Sequence, residues 1–306
     1  MRARKLWAAI ATAATVAGVA SGVTVGGGAV AAAAPGCPDL YVVAVPGTWE
    51  TAGQIGTRPG MLTNVTRGLP GNVQSDFVGY AGTAFPWEGD VYGRSKNQAV
   101  DNARGLVGAM AQRCGNTNVA LIGYSQGADA AGDLAAEIGT GIGVIPPNRL
   151  VAVGLVSDPR RSQADALVGT PVAGNGASGP RPGGFGFVSP VVRSFCATGD
   201  LYCATSQDDF VTRFAGFLAQ TSDPNPAKFG VYQLEAAAIF TDLMTSGGFA
   251  LLQSQLSEQA NQERVKKLEH FYQSQVHTDY GSYPVDPAGN SAITWLRNWL
   301  RDLSHR

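Results

Sequence analysis

The residues best placed to do chemistry are Gly123-Tyr124-Ser125-Gln126-Gly127, a G-x-S-x-G run between an apolar β-branched stretch and an Ala-rich one. A serine hydroxyl is a weak nucleophile until a neighbour takes its proton and its oxygen is held clear of the chain. A strand that turns sharply into a helix achieves the second of these. The serine then sits in a strained, left-handed backbone conformation costing roughly 1–3 kcal/mol, and the helix N-terminus aims donors at developing negative charge. Side chains two residues before and after the serine would collide across so tight a turn, so both places call for glycine. A Gly-rich loop with an incidental serine is the competing reading. The strand before and the helix after oppose it.

The serine needs a base, and the base needs an acid to orient it. On a strand–elbow–helix scaffold the chain order is Ser, then Asp or Glu, then His. Only His270, His277 and His305 are available, and all follow Ser125. His270 lies in a charged helical stretch, ERVKKLEHFY, and His305 is next to last. His277 precedes a turn-like Thr278-Asp279-Tyr280-Gly281 and stands before the closing helix, where a loop can return an imidazole over the elbow; it is the expected base. Asp158 and Asp200 compete as the acid. Asp158 directly follows a strand and could equally be a strand-end residue paired with Arg160 or Arg161. Asp200 lies between Cys196 and Cys203, after the second strand beyond the elbow, where the acid of such sheets stands. A disulfide bracketing it would fix its loop, so Asp200 is the expected acid.

These side chains need a scaffold that brings them to one edge. Leu40–Val45, Val119–Tyr124 and Leu150–Val156 are continuous apolar runs that read as strands buried on both faces. Ser75–Tyr80 is a weaker strand, and Val191–Phe195 a further candidate. Helices are expected over Lys96–Gln112, Ala128–Ile138 and Ser291–Leu303 from apolar residues three and four apart. The alternation predicts an α/β fold, a central parallel sheet flanked by helices. Residues 208–276 break it. Phe210–Leu218, Leu234–Met244 and Phe249–His270 all read as helical, which makes the block a helical insertion before His277. The Gly/Pro-rich stretch 168–186 is expected to be a surface loop. Gly139-Thr140-Gly141-Ile142-Gly143 follows a helix rather than a strand and is no dinucleotide loop. The sequon Asn64-Val65-Thr66 is a weak signal.

Residues 1–36 read as an export signal or a retained N-terminal anchor: Arg2, Arg4 and Lys5 precede an uncharged Ala/Gly/Val stretch ending in small residues. Residues 37–306 then form a single domain. Cys37, Cys114, Cys196 and Cys203 are an even set, as in exported chains with two disulfides, and three connectivities are open. The near pair Cys196 and Cys203 can close a small loop, leaving Cys37 and Cys114 to tie the start of the domain to its interior. Their spacing is wrong for zinc. The 306 residues are 44% hydrophobic and carry 22 basic against 23 acidic side chains, a net charge of −1. That excludes disorder and a basic field for nucleic acid.

GYSQG, the Cys196-x-x-Gly199-Asp200-x-x-Cys203 loop and a later histidine before the final helix together resemble the cutinase family, over most of residues 37–205 and 275–303. The resemblance implies that Ser125, Asp200 and His277 are nucleophile, acid and base. It implies the pairs Cys37–Cys114 and Cys196–Cys203. It also implies that Thr48, in Pro46-Gly47-Thr48-Trp49-Glu50, and the backbone N–H of Gln126 form the oxyanion hole. Two features depart from compact fungal members. Seventy-seven positions separate Asp200 from His277, and Pro46 and Trp49 stand where arginine and a small residue are usual. The long form resembles cell-envelope cutinase-like proteins of mycolic-acid bacteria, a branch associated with lipid esters and thioesters.

The implied function is a secreted or cell-envelope serine esterase of lipase, phospholipase or thioesterase type, with no metal or organic cofactor. The expected partners are an acyl-ester small molecule and a membrane or envelope-lipid surface, with no nucleic acid; the oligomeric state is left open. An acyltransferase using the same residues and a non-catalytic envelope protein are the alternatives. Phe240, Leu243, Met244, Phe249, Leu251 and Leu252 would line an acyl groove or lid, or merely cover the sheet.

Overall fold

The computed structural model describes residues 36–51 and 60–305, so the export segment expected over residues 1–36 lies almost wholly outside them. Five strands, β1 (Leu40–Val45), β2 (Val73–Phe77), β3 (Asn118–Tyr124), β4 (Leu150–Val156) and β5 (Val192–Phe195), pair in parallel in the order β2-β1-β3-β4-β5. The α/β expectation holds.

Parity along the strands explains the two-sided burial. Tyr41, Val43, Val45, Leu121, Val153 and Leu155 face α2 (Tyr92–Arg113) and α3 (Gln126–Gly139). Val42, Ala44, Ala120, Ile122, Ala152 and Val156 face α1 (Thr63–Thr66) and α8 (Ala292–Leu303). Helices on both faces need apolar side chains on both, which is why these strands read as unbroken apolar runs. In α2, Ala99, Ala103, Val107 and Met110 make the buried stripe. The helix begins four residues earlier than its apolar period predicts, because Tyr92 to Ser95 carry no apolar stripe to announce it. The edge strand β2 is half-buried or exposed throughout and lies two to three residues before the expected Ser75–Tyr80.

The helical block consists of α4 (Phe210–Gln220), α5 (Phe229–Ser246), α6 (Gly248–Gln255) and α7 (Glu258–Ser274). It packs on its own small core of Phe210, Ile239 and Leu243, with Phe214, Phe217, Leu251 and Leu252 around them. The six apolar residues singled out there therefore divide. Leu243, Leu251 and Leu252 turn inward, whereas Phe240, Met244 and Phe249 are 52%, 46% and 65% exposed.

The stretch 168–186 is not the plain surface loop its composition suggests. Arg181 is buried against α3, donating to Asp133 at 3.0 Å and to Asp158 at 2.6 Å.

Candidate active site

In a parallel sheet of this order the winding of successive strands switches direction between β1 and β3, and a crevice opens beyond the carboxyl ends of those two strands. Ser125 follows β3 and Thr48 follows β1, so both stand at that reversal. Ser125 has φ 54° and ψ −124°, and its N–H donates to the Val156 carbonyl of β4. The two glycines are needed for different reasons. A Cβ at Gly123 would strike the backbone of Gly127 and Ala128 across the turn, as expected. A Cβ at Gly127 would instead strike the carbonyls of Val45 and Pro46, at the end of β1. The second glycine lets the helix approach the neighbouring strand.

His277 lies three residues beyond α7, just after the left-handed Gln275 that ends that helix. Its Nε2 is 3.0 Å from Ser125 Oγ and its Nδ1 is 3.0 Å from Asp200 Oδ2. The ring is bracketed by Tyr202 at 4.6 Å, Tyr124 at 5.3 Å and Phe271 of α7 at 6.2 Å between centroids. The Tyr124 hydroxyl also donates to the His277 carbonyl at 2.8 Å. Asp200 is fully buried in the loop closed by the Cys196–Cys203 disulfide; the other disulfide joins Cys37 to Cys114. Its Oδ2 accepts from the hydroxyls of Ser157 at 2.6 Å and Tyr280 at 2.7 Å, and its Oδ1 from the Tyr202 N–H at 3.0 Å. Burial by itself would raise this carboxyl. The donors from His277, Ser157 and Tyr280 outweigh it and hold the group below its ordinary value, so it stays ionised.

Around Thr48 the loop's other donors are occupied. Gly47 N–H binds the Glu50 carboxylate at 3.1 Å, Trp49 N–H binds Gly82 O, and Glu50 N–H binds Gly47 O. Among the described residues the N–H groups of Thr48 and Gln126 have no protein acceptor. The Gln126 side chain is engaged elsewhere, donating to Thr83 O at 3.0 Å and accepting from Ser95 Oγ at 3.1 Å, so it holds the 83–95 segment against the elbow.

Asp158 is not part of this cluster. It pairs with Arg181, and its other partner is the Arg160 N–H rather than the guanidinium of Arg160 or Arg161. It belongs to a buried group of charges behind the elbow helix. Lys96 reaches Asp133 at 2.9 Å, Arg160 pairs with Glu235 of α5, and Gln220 of α4 bonds both Lys96 and Asp129. Burial opposes the Asp133 charge, but Lys96, Arg160, Arg181 and Lys228 together hold its carboxyl well below the ordinary range. His270, on α7, and His305 take no part in the cluster around Ser125. Sequence reasoning missed Ser157 and the hydroxyl of Tyr280. The available signal was a polar residue at the carboxyl end of a buried strand beside the elbow.

The cutinase family model matches residues 36–229. Two curated relatives are 28% identical: a "Carboxylesterase Culp6 homolog" of Corynebacterium glutamicum, over 55% of this chain and 65% of its own length, and "Cutinase 11" of Verticillium dahliae, over 69% and 71%. The chain thus spans a little under two thirds of the first relative. Solved structures with a similar course include an acetyl xylan esterase (21% identity, 72% of this chain and 100% of that one, TM-score 0.47) and lysin B from Mycobacteriophage D29 (20%, 69% and 91%, TM-score 0.46). Membership rests on the family match rather than on these fold likenesses. By that match, which takes in the elbow serine, the Thr48 loop and the disulfide-closed aspartate, the chain belongs to the cutinase family.

Proposed function

We propose that this protein is an exported serine carboxylesterase that hydrolyses lipid esters or thioesters at an envelope or membrane surface. Ser125 is the nucleophile, His277 the general base and Asp200 the orienting acid. The observation that carries this is the unbroken relay from Ser125 Oγ to His277 to Asp200, two contacts of 3.0 Å each. His277 takes the Ser125 proton as Oγ bonds the acyl carbon. The carbonyl electrons move onto oxygen, where the N–H groups of Thr48 and Gln126, without an acceptor among the described residues, receive them. Collapse expels the alcohol or thiol, which takes the proton from His277, and water releases the acyl group by the same route. The helical block at about 208–276 serves as a wall or lid for the acyl chain, with Phe240, Met244 and Phe249 as its outward apolar residues.

Export is supported by two formed disulfides, which persist in oxidising compartments. The test is a fluorophosphonate that reacts with activated serines, its adduct located by mass spectrometry, followed by a panel of esters and thioesters of rising chain length. A single adduct on Ser125 and turnover in the panel are expected. No adduct and no turnover would leave only a non-catalytic envelope protein.

A further inference from the structure

Ser157 directly follows β4, is fully buried and has φ 52°. An L side chain is strained there, and glycine is the residue that suits such backbone. A hydroxyl kept in that place is better understood by what it touches. Its oxygen is 2.6 Å from Asp200 Oδ2 and 3.0 Å from His277 Nδ1, and those two atoms are themselves 3.0 Å apart. The three atoms close a triangle.

Proton counting decides how the triangle is bonded. The ionised carboxylate only accepts, and the Ser157 hydroxyl has one proton to give. Donated to Asp200, that proton leaves the hydroxyl lone pairs facing Nδ1, so the Nδ1–H is shared between Asp200 and Ser157. Every polar atom is then satisfied, and Nε2 carries a free lone pair toward Ser125. The other tautomer would put a bare Nδ1 lone pair against two acceptors. Ser157 could relieve only one of them, and only by abandoning the carboxylate. Water does not compete, since both Ser157 and Asp200 are wholly buried.

We propose that Ser157 is a positioning residue of the reaction, holding the Asp200 carboxylate and the His277 ring in the alignment in which Nε2 accepts the Ser125 proton, and sharing the imidazolium once it forms. The inference rests on the assignment of Ser125, Asp200 and His277 made above. Ser157 gains and loses no proton: the Ser125 O–H bond breaks, Oγ bonds the acyl carbon, and the proton passes to Nε2 while Nδ1–H stays between its two acceptors.

The test compares Ser157→Gly and Ser157→Ala with Asp200→Asn and His277→Gln in the full chain. The measurements are hydrolysis of a soluble short-chain p-nitrophenyl ester, the melting temperature, and the 15N shifts of the His277 ring. Ser157→Gly relieves the backbone strain, which offsets the lost hydrogen bond to Asp200, so it should melt close to the parent. Its kcat should nevertheless fall on the order of ten- to a hundredfold with KM nearly unchanged, and the Nδ1 15N shift should move as one of the two acceptors of its N–H is lost. Ser157→Ala should lose kcat alike. Ser157→Gly at parental kcat, an unmoved Nδ1 shift, or losses of activity that track lost folding in both variants would each overturn the positioning role. Retained activity in Asp200→Asn and His277→Gln would instead overturn the underlying assignment.

Discussion

An imidazole can rotate and can carry its proton on either nitrogen, so its usefulness as a base depends on what grips the far side. Asp200 grips His277 while itself accepting from Ser157, Tyr280 and the Tyr202 backbone. Asp200→Asn keeps the shape but reverses the preferred tautomer, and kcat should drop by roughly 10⁴-fold with folding intact; steady-state kinetics with circular dichroism checks this. The same donors make Asp200 a source of pH-dependent stability. Its carboxyl is depressed in the folded state relative to about 3.9 in an unfolded chain. Its contribution is therefore complete above that value and is lost as pH falls toward the lower, folded one. The melting-temperature gap between the parent and Asp200→Asn should be constant from neutral pH to about pH 5 and shrink below about pH 4. A gap that widens on acidification would contradict the depressed carboxyl.

At the scale of elements, the two disulfides do different work. Cys37–Cys114 spans 77 positions and ties the lead into β1 to the end of α2. Opening it should cost about 4–5 kcal/mol of unfolding free energy and leave kcat nearly unchanged. Cys196–Cys203 spans 7 positions and encloses Asp200. Its removal should cost only about 2 kcal/mol yet lower kcat at least as clearly as it lowers stability. Urea titration and kinetics of the two double Cys→Ser variants distinguish these outcomes. What was legible in the residues follows the same division. The elbow could be read because its glycines answer local steric demands, and β1, β3 and β4 because two-faced burial leaves continuous apolar runs. The start of α2 and the bounds of β2 were not legible, since polar turns and half-wet edges carry little period. Ser157 was hidden because its partners lie 43 and 120 residues away.

Across the whole molecule, the apolar core of the helical block is separate from those on the two faces of the sheet, and a buried group of charges ties α4 and α5 to α2 and α3. Lys96, Arg160, Arg181 and Lys228 surround Asp133, and Glu235 and Gln220 extend the group into α5 and α4. None of this could be read from the chain, because residues spread from 96 to 235 converge only once folded. Asp133→Ala strands buried cations and should cost about 3–5 kcal/mol, measurable by thermal or urea unfolding. On the outer side of the block, replacing Phe240, Met244 and Phe249 with serine should lower kcat/KM for long-chain esters while short-chain rates stay level. A parallel fall for both chain lengths would mean that these residues do not meet the acyl chain.

Ser125 and Thr48 follow neighbouring paired strands, while Asp200 and His277 arrive on either side of an excursion that separates them by 77 positions. The free energy of closing such an excursion grows only with the logarithm of its length. The chain between Cys203 and Val276 can thus change in length, provided the replacement still meets Lys96, Arg160 and the His277 ring as Gln220, Glu235 and Phe271 do. A shorter connector or a foreign helical module that kept those contacts would change the wall beside the site and leave Ser125, Asp200 and His277 where they are.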